Sequence, residues 1–419
     1  MLKGIHPLQH ACAAGVVLGI ACLAGACSPE RGATRGTDLA AQCERAVQAA
    51  TPRPVRDAAL RFSPNVVIGD EQRSPLGRVV GAVWHPAARR LYVLDAYNGG
   101  VAVFDSAGMR LSSFGRLGGG PGEFEELGGS HGARPVYNQL ALLDNGQLGV
   151  MELGRLHVFT PDGRFVQRLR VTESDPGPYA VLHVAGFAGG VLFSESGAMH
   201  LASDDPGERT ALRLTRASLR EAEIDTATLG TIRNNLHRMP PFTGLPPSDP
   251  YLAYYRRSWD AVASGLLVVP SQFLTGVCFF DSGLRLLAAH RVDAEPIQVD
   301  RTERQRVLNA FRAAAGPAPP LGARRWEDQY PAWPETVPPY ADVALAPDSV
   351  AWLLRPLQGG ETVTDLVHAR RGYLGSLAPP GGRLPLTFKD GCPYVIEERI
   401  SSVVEDGRSA YGLRRWCPQ

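Results

Sequence analysis

Lysine is almost missing from this chain: of its 43 basic residues only Lys3 and Lys389 are lysine, and the rest are arginine. The formal net charge is +1 over 419 residues. No bulk field draws in a polyanion, and nucleic acid is not expected as a partner. The arginine excess reads as the bias of a GC-rich genome rather than as anion recognition. Long hydrophobic runs are lacking too. Ala11–Ala26 is apolar and small throughout, yet shorter than the roughly 20 residues that cross a bilayer. There is no Cys-x-x-Cys and no Cys/His spacing of a zinc site. The string Ser194-Glu195-Ser196-Gly197 lacks the glycine before a nucleophilic serine elbow. His85, His131, His157, His183, His200, His237, His290 and His368 lie scattered without ligand spacing. No cofactor is expected.

What is present begins at the N-terminus. Met1–His10 carries Lys3 and two histidines ahead of the apolar run, the layout of a signal peptide. The run ends in Leu23-Ala24-Gly25-Ala26-Cys27, which resembles a bacterial lipobox, with Ala24 where the typical core has leucine and Ile20-Ala21-Cys22 as a weaker competitor. The expectation is a signal peptide over 1–26, a lipidated Cys27, and a tether over 27–60 with one short, loosely docked helix near Leu39 to Ala49. Several acyl chains at about 0.8 kcal/mol per buried CH₂ make such attachment effectively permanent. Ser28 does not resemble the aspartate retention signal of some bacteria, which favours the outer membrane or the cell surface. Four cysteines remain in what should be an oxidising compartment. Cys392 and Cys417 flank a hairpin and are the favoured pair; Cys43 and Cys278 pair or stay free.

From Arg61 onward, short runs of Val, Leu, Phe and Tyr alternate with Gly, Asp, Asn and Pro, a strand and hairpin pattern. The pattern repeats. Val101-Ala-Val-Phe-Asp-Ser-Ala-Gly108-Met-Arg-Leu111 matches Leu156-His-Val-Phe-Thr-Pro-Asp-Gly163-Arg-Phe-Val166, and shorter versions occur at Val277–Leu286 and Leu366–Leu374. Two further strands precede each copy, as in Val80–Trp84 with Arg90–Asp95. Such a four-stranded sheet cannot cover both of its faces alone, and stacking sheets around an axis solves this. The predicted fold is all-β: a six-bladed β-propeller over 61–417, of four-stranded antiparallel blades, with an inserted helix and the short N-terminal helix. Two inserts are read at 221–255 and 300–340. The second opens on a helix with Asp300 as N-cap, Glu303 as capping-box partner, an apolar face of Val307, Leu308, Phe311 and Ala314, and Gly316 as stop.

After the first repeat comes Phe114-Gly115-Arg116-Leu117-Gly118-Gly119-Gly120-Pro121-Gly122-Glu123-Phe124. In its strand context this string resembles the NHL repeat, and more closely the six-bladed propeller lipoproteins related to it. Tyr373–Gly375 and Val403–Leu413 resemble the last blade of that family. The resemblance implies that Gly115, Gly118, Gly120, Pro121 and Gly122 carry the chain tightly between blades. It also implies that Glu123 bonds loop amides and Phe124 enters the core between blades. A phosphate-loop reading fails, because neither Gly-Lys-Ser/Thr nor a helix follows the glycines.

Enzymes of the wider six-bladed class hold a metal on the axis with carboxylates, asparagines or histidines from several inner strands. Asp95, Asn98, Glu152 and His183 are candidates here, without a repeated ligand at matching positions, so no metal site is assigned; Asp95 reads as a turn cap beside Asn98. Aromatics with arginine cluster instead in the inserts, at Tyr251, Tyr254, Tyr255, Arg256, Arg257 and Trp259, and at Arg324, Arg325, Trp326, Tyr330, Trp333 and Tyr340. These residue types dominate binding hot spots. The expected function is a membrane-anchored extracytoplasmic propeller, acting as a monomeric binding or scaffold module for a peptide, glycan or protein partner. A metal-dependent hydrolase or lyase acting at the central channel is the alternative.

Overall fold

A computed structural model describes residues 38–69, 76–125, 139–152, 154–171, 181–196, 211–220, 223–233, 257–315, 336–337, 339–380, 383–399 and 410–419. Helix α1 (Leu39–Ala49) is capped by Asp38, whose Oδ1 accepts the Ala41 amide at 2.9 Å. Its stripe of Leu39, Cys43 and Val47 is fully buried. The helix is therefore not the loosely docked element of a tether: it packs into the core between blades three and four, beside Leu192, Leu214 and Val269. A disulfide joins Cys43 to Cys278. Glu44 accepts the Ser271 hydroxyl at 2.7 Å and also the Gln272 amide.

The chain then runs along blade rims through β1 (Pro52–Pro54) and β2 (Phe62–Ile68). Blade one is β3 (Val79–His85), β4 (Arg90–Asp95), β5 (Gly100–Phe104) and β6 (Arg110–Phe114). Blade two is β7 (Leu140–Leu142), β8 (Leu148–Glu152), β9 (Arg155–Phe159) and β10 (Phe165–Arg170). Blade three is β11 (Val181–Phe187), β12 (Gly190–Ser196), β13 (Ala211–Arg220) and β14 (Glu223–Arg233). Blade four is β15 (Asp260–Val262), β16 (Leu266–Pro270), β17 (Gly276–Phe280) and β18 (Leu286–Asp293). After helix α2 (Arg301–Ala315) come β19 (Asp342–Leu345), β20 (Val350–Pro356), β21 (Thr362–His368) and β22 (Gly372–Leu377) of blade five. Blade six is β23 (Thr387–Lys389), β24 (Cys392–Arg399) and β25 (Ala410–Pro418).

These six antiparallel sheets form a six-bladed β-propeller. The first strands of successive sheets adjoin, β3 to β7, β7 to β11, β11 to β15, β15 to β19 and β23 to β3, so they line the axis. Each junction between blades holds an apolar cluster: Tyr92 with Phe159 between one and two, Val158 with Phe193 between two and three, Phe187 with Phe280 between three and four. Phe279 with Leu353, Trp352 with Phe388, and Trp84 with Tyr394 fill the remaining three. Both faces of the inner strands are thereby taken out of water, which a lone sheet cannot achieve, while outer strands such as β6 keep exposed residues.

The N-terminal segment laces the rim. β1 pairs in parallel with β18, the outer strand of blade four. Next, the Ala58 amide donates to Ser376 O at 2.7 Å and the Ser376 amide to Arg56 O at 2.8 Å, on the outer strand of blade five. Finally β2 pairs antiparallel with β25 and becomes the fourth strand of blade six, so this blade is built from both ends of the chain. A second disulfide, Cys392 to Cys417, links β24 and β25 inside it.

Two expectations need correction. Residues 223–233, read as the start of a polar insert, form β14, the outer strand of blade three. Glu223, Asp225 and the three threonines of this stretch read as polar, and backbone pairing with β13 decides. In α2, Asp300 Oδ1 accepts the Glu303 amide at 2.8 Å as an N-cap does, but the Glu303 carboxylate takes a two-pronged bond from Arg306 at 2.9 and 2.8 Å instead of closing a capping box. Leu308 is buried. The side chains of Val307, Phe311 and Ala314, and Gly316, lie outside the described residues.

Candidate functional site

Charged side chains gather where the inner strands of blades three, four and five meet. β11 contributes His183, β15 begins with Asp260, and β19 begins with Asp342; Arg257 lies three residues before β15. All four are buried. His183 Nε2 lies 3.1 Å from Asp260 Oδ1, and its ring packs on Trp259 with centroids 4.6 Å apart. The other Asp260 oxygen accepts the Leu345 amide at 2.8 Å and has Arg257 Nη1 at 3.8 Å. Arg257 donates through Nε to Asp342 Oδ1 at 3.1 Å and through Nη2 to Pro385 O at 3.0 Å, just ahead of blade six.

Burial opposes the charge on both partners, and the pairing overcomes it. Desolvation pushes the Arg257 guanidinium down, but Asp342 and Asp260 outweigh it and hold it above its ordinary value. For Asp260, desolvation pushes up while the His183 hydrogen bond, Arg257 and the Leu345 amide pull the carboxyl below its ordinary value. The cluster ties four consecutive blades at the axis.

The metal chemistry of six-bladed propeller enzymes does not fit these residues. A guanidinium already holds both carboxylates, and among the described residues no three His, Cys, Asp or Glu side chains converge as metal ligands. Asp95 spends its carboxylate on the amides of Gly77, Arg78, Tyr97 and Asn98 and on the Asn98 side chain, stapling the entry of blade one to its second hairpin. Glu152 lies 3.0 Å from His157 within blade two, both fully buried.

Blade five holds a second buried cluster. Arg355 grips Asp365 at 2.7 and 3.2 Å, Ser376 donates to Asp365 at 2.5 Å, and Tyr373 Oη lies 2.5 Å from the Ser376 hydroxyl and 3.1 Å from Arg56 O. Its polar groups hold the rim segment.

The blade-linker string forms a tight loop after β6. Gly118 N donates to Phe124 O and Phe124 N to Arg116 O, both at 2.8 Å. Glu123 accepts the Gly120 amide at 2.9 Å and Arg116 Nε at 2.6 Å, and both bonds, the amide first, hold its carboxyl below the ordinary value. Phe124 is fully buried between blades one and two, against the His157 and Phe159 rings. Gly115 has φ 74°, and a Cβ there would meet the Phe124 ring at 2.4 Å, so only glycine fits.

Trp259, placed on a binding face from its aromatic neighbours, is instead 1% exposed and belongs to the core between blades three and four. It alternates with Asp260 along the strand and so faces the junction. Arg257, read with the same surface cluster, is likewise buried and committed to Asp342, and Tyr340 of the second cluster is buried with its hydroxyl on Asp365 at 3.2 Å. Cys27, Tyr251, Tyr254, Tyr255, Arg256, Arg324, Arg325, Trp326, Tyr330 and Trp333 lie outside the described residues. Sequence reasoning missed Asp260 and Asp342. Their one signal is an aspartate opening a short strand of small residues, Asp260-Ala261-Val262 and Asp342-Val343-Ala344.

No family model matches the chain, and no curated protein matches its sequence. Solved structures do. A candidate exported protein from Bacteroides fragilis superposes with a TM-score of 0.50 at 11% identity, over 88% of this chain and 100% of that one. A member of the DUF4221 family from Bacteroides vulgatus gives 0.49 at 11% identity, over 87% and 99%. A gluconolactonase from Xanthomonas campestris gives 0.39 at 11% identity, over 87% and 98%. At these identities the likeness concerns the fold alone.

Proposed function

We propose that the chain is a lipid-anchored, extracytoplasmic propeller that acts by binding a peptide, glycan or protein partner. The observation that carries this reading is the state of the axis: the carboxylates that could have held a metal are committed to Arg257, which leaves recognition rather than Lewis-acid chemistry as the use of the scaffold. Two disulfides agree with an oxidising compartment, as does the description of the Bacteroides fragilis neighbour as a candidate exported protein. The contact surface in this reading is the pair of insert clusters, Tyr254, Tyr255 and Arg256 with Trp326, Tyr330 and Trp333, now without Arg257, Trp259 and Tyr340.

The anchor is tested by metabolic labelling with an alkyne fatty acid. Labelled protein should sediment with membranes, and Cys27→Ser should abolish both label and sedimentation; an unlabelled, soluble wild type refutes the anchor. The surface is tested by placing a photo-crosslinking residue at Tyr254 or Tyr330 in cells. One defined envelope adduct, lost on Arg256→Ala with Trp333→Ala, supports it, and the absence of any adduct from either position refutes it.

A further inference from the structure

The two disulfides stand in opposite surroundings. Cys43 and Cys278 are both fully buried. Cys392 and Cys417 are only half-buried and face each other across β24 and β25 in blade six, with Cα atoms 4.5 Å apart. Cys392 follows the exposed turn residues Asp390 and Gly391, and a Cβ added at Gly391 would meet nothing within 4 Å. A thiol can approach Cys392 from solvent, whereas the first disulfide is closed to one.

A hydrogen bond singles out the sulfur of Cys417. Asn65 Nδ2 donates to Cys417 Sγ at 3.1 Å, and Asn65 Oδ1 accepts Arg415 Nε at 2.9 Å. A guanidinium only donates, so Arg415 fixes the Asn65 amide with its NH₂ group on the sulfur. The backbone sets this up. Pro64 pairs with Trp416 and Val66 with Arg415, which makes Asn65 the extra residue of a β-bulge in β2. Bulges re-aim side chains, and this one turns Asn65 onto the disulfide.

A disulfide opens when a thiolate attacks one sulfur and the other leaves as a thiolate, faster when that leaving thiolate is stabilised. The Asn65 N–H, backed by the Arg415 cation, favours negative charge on Cys417. We propose that Cys392–Cys417 is a site of thiol–disulfide exchange, attacked at Cys392 with Cys417 as the leaving thiolate, and that it sets how firmly blade six closes the ring. The co-reactant is a dithiol. Its first thiolate bonds to Cys392 Sγ as the Cys392–Cys417 bond breaks, and the electron pair goes to Cys417 Sγ. Its second thiolate then attacks the first sulfur and releases Cys392. The dithiol ends as a disulfide, and its two protons end on Cys392 and Cys417. Asn65 comes from the N-terminal β2 and Cys417 from the C-terminal β25, so the bond lies on the seam where both ends of the chain complete the blade. The inference depends neither on the lipid anchor nor on the insert clusters.

The test is incubation of the purified, folded full chain with dithiothreitol, followed by acid quenching, alkylation and mass spectrometry. Cys392 and Cys417 should be reduced while Cys43 and Cys278 stay bonded. With glutathione as the attacking thiol, the adduct trapped by acid at early times should sit on Cys392. Asn65→Ala should slow reduction by about threefold or more; a purely structural Asn65 would instead loosen blade six and speed it. Should Asn65→Ala fail to fold, Asn65→Asp, which keeps the size and sets a negative charge beside the sulfur, reads the same slowing. Limited proteolysis should cut within β2 after reduction and not before. No reduction without denaturant, an adduct on Cys417, an unchanged or faster rate in the Asn65 variant, or equal protection of β2 in both redox states overturns the proposal.

Discussion

Arg257 Nε and Asp342 Oδ1 stand 3.1 Å apart at the propeller axis, joining the entry of blade four to the inner strand of blade five with both side chains buried. Arg257→Met should leave Asp342 without its counter-charge. Breaking one side of a buried pair typically costs about 3–5 kcal/mol. Urea unfolding should report a loss of that order, and Arg257→Met with Asp342→Asn should recover part of it.

Acid stability should depend on Asp260. Its carboxyl lies below the ordinary 3.8 in the folded chain, so on acidification the unfolded chain takes up this proton first. The stability it contributes is complete above about pH 5 and is lost as pH falls through 3.8 toward the folded value. In Asp260→Asn the slope of stability against pH over this acid range should flatten, while the neutral form is weaker throughout. An unchanged slope would contradict the pairing with His183 and Arg257.

The two disulfides should differ in weight. Cys43–Cys278 spans 235 residues and Cys392–Cys417 spans 25. In the chain-entropy account the first stabilises by about 5 kcal/mol and the second by about 3. Replacing each pair with alanine and comparing denaturation midpoints checks the order. Limited proteolysis should also cut between Ala50 and Arg61 only in the first variant, where α1 loses its tie to blade four.

Phe124→Ala should empty a fully buried ring site between blades one and two and cost about 3–5 kcal/mol by thermal or chemical unfolding. Glu123→Gln, in the same loop but partly exposed, should cost well under that.

The blades were legible because the hairpins at Val101–Leu111, Leu156–Val166 and Val277–Leu286 keep their glycine and apolar positions in register. Helix α1 was legible as a short helical stretch near Leu39 to Ala49, though not how firmly it docks. Pro52-Arg53-Pro54 gave no strand signal, since proline is excluded from most ladders. It is tolerated here as an edge strand laid on β18. The axial cluster was hidden for another reason. His183 and Asp260 are 77 residues apart and Arg257 and Asp342 are 85 apart, so only ring closure brings them together. Trp259 misled because an aromatic beside arginines reads the same whether it packs a core or faces a partner.

Arg257 commits the axial carboxylates Asp260 and Asp342, and the proposed binding role rests on that pairing. Elemental analysis of the full chain, after dialysis with calcium, magnesium, manganese and zinc and then without them, tests it most directly. Well below one equivalent of any metal should remain, in the wild type and in Asp342→Asn alike. One retained equivalent that Asp260→Asn or Asp342→Asn releases would contradict the account.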